Sequence, residues 1–500
     1  MSMLSAVATL HATRSGHAER LTTVRHDHVD DLPFVLVPLR LSGEACAPLA
    51  ALVGTDRHQP VLLTTRQPRM HSERFRFAER LADLLLPHIE GCRRGSEPYF
   101  VGRGKDKEER TRALRAPQLL VPNDEGIHHL RLLGRLTRLR AVEGPHAVHP
   151  SVPLLGKWLT WATDRTEFPG SSTLLAMTRL LAAHWATGQS SSEDSHLPSL
   201  LAWIDPPAGQ KGADAAREAE DPGRWPPAGP ATDPQFDHIL LDLMTRYDKA
   251  SNERTREAVG RQLDDELRNQ LLPTWQLMWR GIDLLRGLPA GNHVAERWTY
   301  DRRLFSDYAA YLDEDGHPQA RRDHAVGAAR RLARMEDAKA KYGAQCAYDD
   351  PLIMAEYELA GEAFTGTVVA RDEHHTVPGA RAPKWRPTIT LRTEVFPRVP
   401  VGKTVKCPRR PGQSAEIMEV RAHGGGFECD LQLAGGFENK RKPPAPPGTF
   451  PDIGEQLTYT THDPSTMPSS LPDEEDTPWT HGGPPPSYEP THEDAEEPWE

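Results

Sequence analysis

Between Arg381 and Gly412 the chain sets nine basic residues against one acid, Glu394. They are Arg381, Lys384, Arg386, Arg392, Arg398, Lys403, Lys406, Arg409 and Arg410, with Trp385 and Phe396 among them. Cations at this density hold phosphates by charge, and aromatic rings stack bases, so the run reads as a nucleic-acid contact. Two plainer readings stand beside it. One is a solvated strand face whose aromatics belong to a core; the other is a surface for a protein partner.

A second group of residues could do metal chemistry. "RHDHVDD", Arg25 to Asp31, places His26, His28 and Asp30 two apart. The spacing resembles the H-x-H-x-D-H motif of the metallo-β-lactamase fold, which implies a metal-activated water and hydrolysis. Asp31 stands where that motif has its last His, which leaves a second metal short of a ligand. The alternative is a polar segment ahead of the first strand. A nuclease-like set, Asp430, Glu438 and Lys440, offers two carboxylates for magnesium and a Lys for the water. Gly102, Gly104 and Lys105 suggest a phosphate loop, but Asp106 follows where that loop needs Ser or Thr, so an exposed turn is expected. No G-x-S-x-G elbow occurs. The five cysteines, Cys46, Cys92, Cys346, Cys407 and Cys429, form no C-x-x-C pair and read as buried thiols in a reducing compartment. Neither a cofactor nor a structural zinc is expected.

The charge is uneven. The chain carries a net −11, yet 471–500 holds ten acids and no Lys or Arg, leaving 61 acidic against 60 basic residues before it. Trp479, Tyr488 and Trp499 lie among those acids and prolines as candidate anchors for a docking partner. The 46 prolines and the 37% hydrophobic share point to a long disordered portion. No apolar run is long enough to span a membrane, and no signal peptide is read, so no membrane partner is expected. Arg outnumbers Lys 48 to 12, which with abundant Ala and Pro points to a high-GC bacterial source and the cytoplasm.

These residues must be positioned by a mostly helical α+β chain. Pro33–Leu41, Gln59–Arg66 and Ala116–Asn123 read as strands, and Ser72–Cys92 and Asp124–Leu139 as helices. "PGSSTLLAMTRLLAAHWATGQ" reads as one helix capped by Ser171 or Ser172 and ended by Gly188. Arg131, Arg135 and Arg138 would form an exposed basic face on the helix before it. The organisation is then a mixed α/β and helical domain over 1–205, a Pro/Gly linker over 206–232 and a helical bundle over 233–363, with Pro273 breaking or kinking one helix. At Phe364 the apolar period changes to two. "FTGTVVAR", "PTITLRTE", "KTVKCPR", "AEIMEVRA" and "FECDLQL" predict a five-stranded small β-barrel, SH3-like or OB-like, over 364–442. Val405, Cys407, Ile417 and Cys429 should face its core. The tail, 443–500, reads as disordered, Pro-rich and acidic.

"EGPHAVHPSVPLLGKWL", "HWATGQSSSEDSHLPSLLAWIDPP" and "PPAGPATDP", between Glu143 and Pro234, resemble segments of uncharacterised actinobacterial cytoplasmic proteins. The barrel segment is similar in style to small β-barrels inserted in helicases. The leading expectation is a non-enzymatic adaptor whose basic barrel contacts nucleic acid or a nucleic-acid-processing partner such as a helicase or nuclease, with the acidic tail docking or inhibiting. The alternatives are a metal-dependent hydrolase or nuclease and a pure protein scaffold.

Overall fold

The computed structural model describes residues 3–44, 46–102, 107–227, 229–320, 325–380, 382–437 and 442–465. Two compact units are present: one holds 5–335, and the other begins at Glu336 and carries the barrel. No helix among the described residues is long and apolar enough to cross a membrane.

In the first unit strand β1 (Phe34–Arg40) lies at the centre of a five-stranded sheet. Its partners are β2 (Pro48–Gly54), β3 (Val61–Thr64), β4 (Leu119–Val121) and β5 (Leu174–Ala176), in the order β3-β2-β1-β4-β5. β1, β2 and β3 run antiparallel, whereas β4 pairs parallel to β1 and β5 parallel to β4. Every residue of β1 from Phe34 to Leu39 is buried, so both faces of the sheet need cover. Val35, Val37 and Leu39 pack with Leu271, Trp275, Met278 and Ile282 of the helix Glu253–Arg286. Phe34 and Leu36 join Phe77, Leu81 and Leu85 of the helix His71–Cys92, and Phe305, on the other side. The central helices are therefore split over an α/β/α sandwich: Glu253–Arg286 covers one face of the sheet, and Val294–Asp313, which carries Phe305, lies with His71–Cys92 on the other. Asn252 caps the 34-residue helix Glu253–Arg286, which passes through Pro273 unbroken, so of the expected break or kink the break does not occur. Proline removes one N–H and costs about 3 kcal/mol, but the carbonyl four residues back belongs to exposed Asn269, and apolar burial on both sides of Pro273 holds the helix together.

Two other expectations change. Leu174–Ala176 is a strand, and the helix starts only at Met177 and ends at His184. Pairing with Leu119–Val121 in the sheet overrides the local helical pattern, and Ser171 and Ser172 cap nothing. Residues 206–232 contain a helix, Gly212–Glu218, with Ala215 and Ala216 buried. β4 pairs with β1 only at Phe34 and Val35, and the Arg40 N–H farther along donates to Pro230 O at 2.9 Å. A Cβ on Gly229 would sit 1.8 Å from Pro38 O, so only glycine fits this close approach.

The second unit is a closed barrel of six strands: β6 (Ala363–Asp372), β7 (Thr388–Thr393), β8 (Thr404–Lys406), β9 (Gln413–His423), β10 (Gly426–Gly435) and β11 (Gln456–Thr460). The order is β6-β7-β10-β9-β8-β11, with β11 closing back on β6. Period-two alternation sends Ile389, Leu391, Val405, Ile417, Leu431 and Tyr459 inward. Cys407 and Cys429 join them as expected. The expected count of five strands omitted β11. It lies in a stretch read as disordered from Pro443 onward, and that reading is overturned over 442–465. Only Leu457 and Tyr459 alternate there, and the prolines before them obscure so short a pattern.

β11 covers both β6 and the Cys407–Cys429 core, which sets a thiol test. A chain ended after Ser465 should keep both thiols slow toward a disulfide reagent under native conditions. A chain ended after Gly454 should gain two fast-reacting thiols, as read by absorbance of the released thiolate.

Candidate binding groove in the barrel unit

The basic run is dispersed by pairing. Arg392 meets Glu428 at 3.0 Å, Lys406 meets Asp463 at 3.2 Å and Arg410 meets Glu455 at 2.7 Å. Arg371 is held by Asp452 at 2.6 Å. Asp452, Glu455 and Asp463 all come from the segment around β11, so the segment that closes the barrel also neutralises Arg371, Lys406 and Arg410. Lys384, Arg386, Arg398, Lys403 and Arg409 have no carboxylate partner among the described residues. Arg381 lies outside the described residues, as do Trp479, Tyr488 and Trp499. Trp385 is buried, packs on Phe437 and donates its indole N–H to Glu373 O at 2.6 Å, so its ring serves the barrel core. Phe396 is 53% exposed, in edge contact with Phe427.

Beside Arg409 lies a groove of about 390 Å³. One wall is the helix Pro351–Ala360, which Asp350 caps, Pro351 begins and Gly361, at φ 82°, ends. The other wall is the outside of the barrel where β11 meets β6. Pro351 and Ala355, backed by Ala347 and Met354, give it apolar surface, and Arg409 and Gln456 give it polar surface. The Thr365 hydroxyl donates to Glu358, and Thr365 and Thr458 hydroxyls lie 2.6 Å apart across the strands. Sequence reasoning pointed only to Arg409 here. The remaining residues are small, polar or scattered along the chain, and no motif joins them.

His26, His28 and Asp30 do not converge on an ion. Among the described residues no three His, Cys, Asp or Glu side chains come together as a ligand set. The segment instead ties the first unit together through its own main chain. The His26 N–H donates to His184 Nε2 at 3.3 Å and the His28 N–H to Ser172 Oγ at 3.1 Å. Gln118 donates to His28 O at 2.8 Å and accepts from the Asp30 N–H at 2.9 Å, and Arg286 donates to Asp30 O at 2.6 Å. The His28 ring stacks on Trp298 with centroids 4.1 Å apart. Burial alone would raise the Asp30 carboxyl, but hydrogen bonds from His28 and the Leu32 N–H, with Arg115 at 2.8 Å, hold it at about 2.

Asp430 is bonded by Arg421 and by the Thr390 hydroxyl at 2.6 Å, and Glu438 and Lys440 lie outside the described residues, as do Gly104 and Lys105. Burial pushes the Cys429 thiol up to about 12 and raises that of Cys407, so neither is an activated thiolate. Of the basic strip on and just after the helix Asp124–Thr137, Arg135 is exposed as expected, but Arg131 and Arg138 are packed. Arg131 meets Glu167 at 3.2 Å, and buried Arg138 donates to Gln319 O at 2.8 Å. No family model, curated protein or solved structure matches this chain.

Behind the polar segment, Asp301 is fully buried and accepts from Ser171 Oγ at 3.1 Å and from the Ser172 N–H at 2.7 Å, with Arg165 at 3.8 Å. Burial pushes its carboxyl up to about 6, against the pull of Arg165 and the two hydrogen bonds. The folded state then binds this proton more tightly than the unfolded chain. The resulting stabilisation is complete below about pH 4 and is lost as pH rises through 6. Relative to Asp301→Asn, the native protein should lose on the order of 2–3 kcal/mol between pH 4 and pH 7, measured by denaturant unfolding of both proteins at each pH. A difference that does not change with pH would show that Asp301 titrates normally.

Proposed function

We propose that this chain is a non-enzymatic accessory protein of the cytoplasm. Its barrel, which we read as an SH3-like or OB-like binding module, contacts nucleic acid or a nucleic-acid-processing protein. What supports the reading is the set of five cations of the basic run, Lys384, Arg386, Arg398, Lys403 and Arg409, left without carboxylate partners among the described residues, while Arg371, Arg392, Lys406 and Arg410 are held by acids. The acidic segment 471–500, with Trp479, Tyr488 and Trp499, is read as a docking segment that competes for those cations. A purely protein-binding scaffold is the second reading. It is favoured by the groove beside Arg409, which joins one cation to apolar surface.

The number of available cations sets a magnitude. Each phosphate neutralised on duplex DNA contributes about −0.9 to the slope of log K against log salt concentration. Five contacts give roughly −4 to −5, whereas the whole basic run would give about −8. Fluorescence anisotropy with a labelled duplex, titrated across salt, should return the shallower slope, and Lys403→Glu should reduce it by about 1–2. Deleting 471–500 should tighten binding at every salt concentration. Undetectable binding at low salt would leave the protein-scaffold reading.

A further inference from the structure

The groove between Pro351–Ala360 and the barrel wall carries more than a general capacity to bind. We infer that it docks a short extended peptide from a partner protein, one with a carboxylate close in sequence to an apolar side chain. This inference rests on the protein-binding side of the function proposed above. Three observations define the ligand.

The first is charge. Arg409 is exposed and without a carboxylate among the described residues, while Arg410 and Lys406 nearby in sequence are held by Glu455 and Asp463. A single cation is therefore open at this place. Glu358, hydrogen-bonded to Thr365, lines the same groove. A polyphosphate backbone lying in the groove would be repelled by Glu358, whereas one carboxylate can meet Arg409 and stay clear of it.

The second is the surface between them. Pro351 and Ala355 give apolar surface there, backed by Ala347 and Met354, which are nearly buried in a small core beneath. About 390 Å³ is at the small end of ligand-sized pockets, enough for a few side chains and not for a folded domain.

The third is the open strand edge. β8 pairs with β11 only at Lys406 and Thr460, because Cys407 and Pro408 carry the chain away and Pro408 has no N–H to continue the ladder. On that side β11 has no strand beside Gln456 and Thr458, the two of its residues that line the groove, while Leu457 and Tyr459 are buried in the barrel core. An extended chain entering past Pro408 meets main-chain hydrogen-bonding groups there, the mode by which exposed strand edges take peptides.

The test is a peptide-display selection against the full-length protein, with slow thiol reaction of Cys407 and Cys429 as the check that each variant is folded. The intact protein should enrich peptides that carry Asp or Glu within a few positions of an aromatic or branched aliphatic residue. Arg409→Glu should weaken the best of these peptides by roughly tenfold, and a selection repeated on that variant should replace the acid with Lys or Arg. Ala355→Arg, which fills the apolar surface, should abolish binding with the thiols still protected. The proposal is overturned by no enrichment, by enrichment without acidic residues, or by affinities that neither substitution changes. It is also overturned if an unlabelled single-stranded oligonucleotide displaces the peptide, because the groove would then belong to nucleic acid. Loss of the peptide with duplex binding retained counts against this inference alone, and loss of duplex binding with selection intact counts against the nucleic-acid reading alone.

Discussion

Six consecutive buried residues, Phe34 to Leu39, govern the architecture of the first unit. A strand apolar on both faces must be covered twice, since each exposed face would leave several large side chains in water at about 25 cal/mol per Å². The helix His71–Cys92 and its neighbours cover one side. The other is covered by Glu253–Arg286, which arrives from more than 200 residues along the chain. Its apolar stripe, with Trp275 at the centre, and the stripe of β1 are two halves of one core. The same need explains Gly229 and Pro230 against the outer edge of β1: a strand edge not taken by β4 is met by other main chain.

Buried main chain makes a second demand, which the segment 25–31 meets. Its N–H and C=O groups lie inside the unit, and an unmet polar group there would cost about 1–3 kcal/mol. His184, Ser172, Gln118, Arg286 and Arg297 supply the partners. A row of His and Asp that looks like a ligand set thus lies in a segment stitched to the sheet and helices around it, with Asp30 held ionised by Arg115, His28 and a main-chain N–H. Residue types and spacing are shared by metal sites and by buried polar connections. Which one forms depends on whether the side chains converge, and that is a property of the surrounding elements.

In the barrel the comparable constraint is closure. β11 removes the edge that β6 would otherwise expose, and the segment around it brings Asp452, Glu455 and Asp463 against Arg371, Lys406 and Arg410. Closing the barrel and pairing these three cations are one event. What stays available is a smaller set of cations and a groove at the seam, where β8 and β11 part after a single pair. The chemistry offered to a ligand is therefore narrower than the count of basic residues implies.

Much of this was legible in the residues. Alternation placed five barrel strands and put Val405, Cys407, Ile417 and Cys429 inside, because period two is a local property of an extended chain with one buried face. The caps at Asp233 and Asn252 are local in the same way: a side-chain oxygen accepts a free N–H within three residues. Contacts distant in sequence decided the rest. Leu174–Ala176 became a strand because β4 lay beside it, Pro273 stayed helical because the sheet held both halves, and Trp385 turned inward to Phe437 and Glu373. The candidate site follows the same division. Arg409 could be singled out from the sequence as a cation, but its lack of a carboxylate partner, and the Met354, Ala355 and Thr458 around it, exist only once β11 has closed the barrel. Local sequence sets period, caps and charge; which charges pair and which surfaces meet depends on distances across the fold.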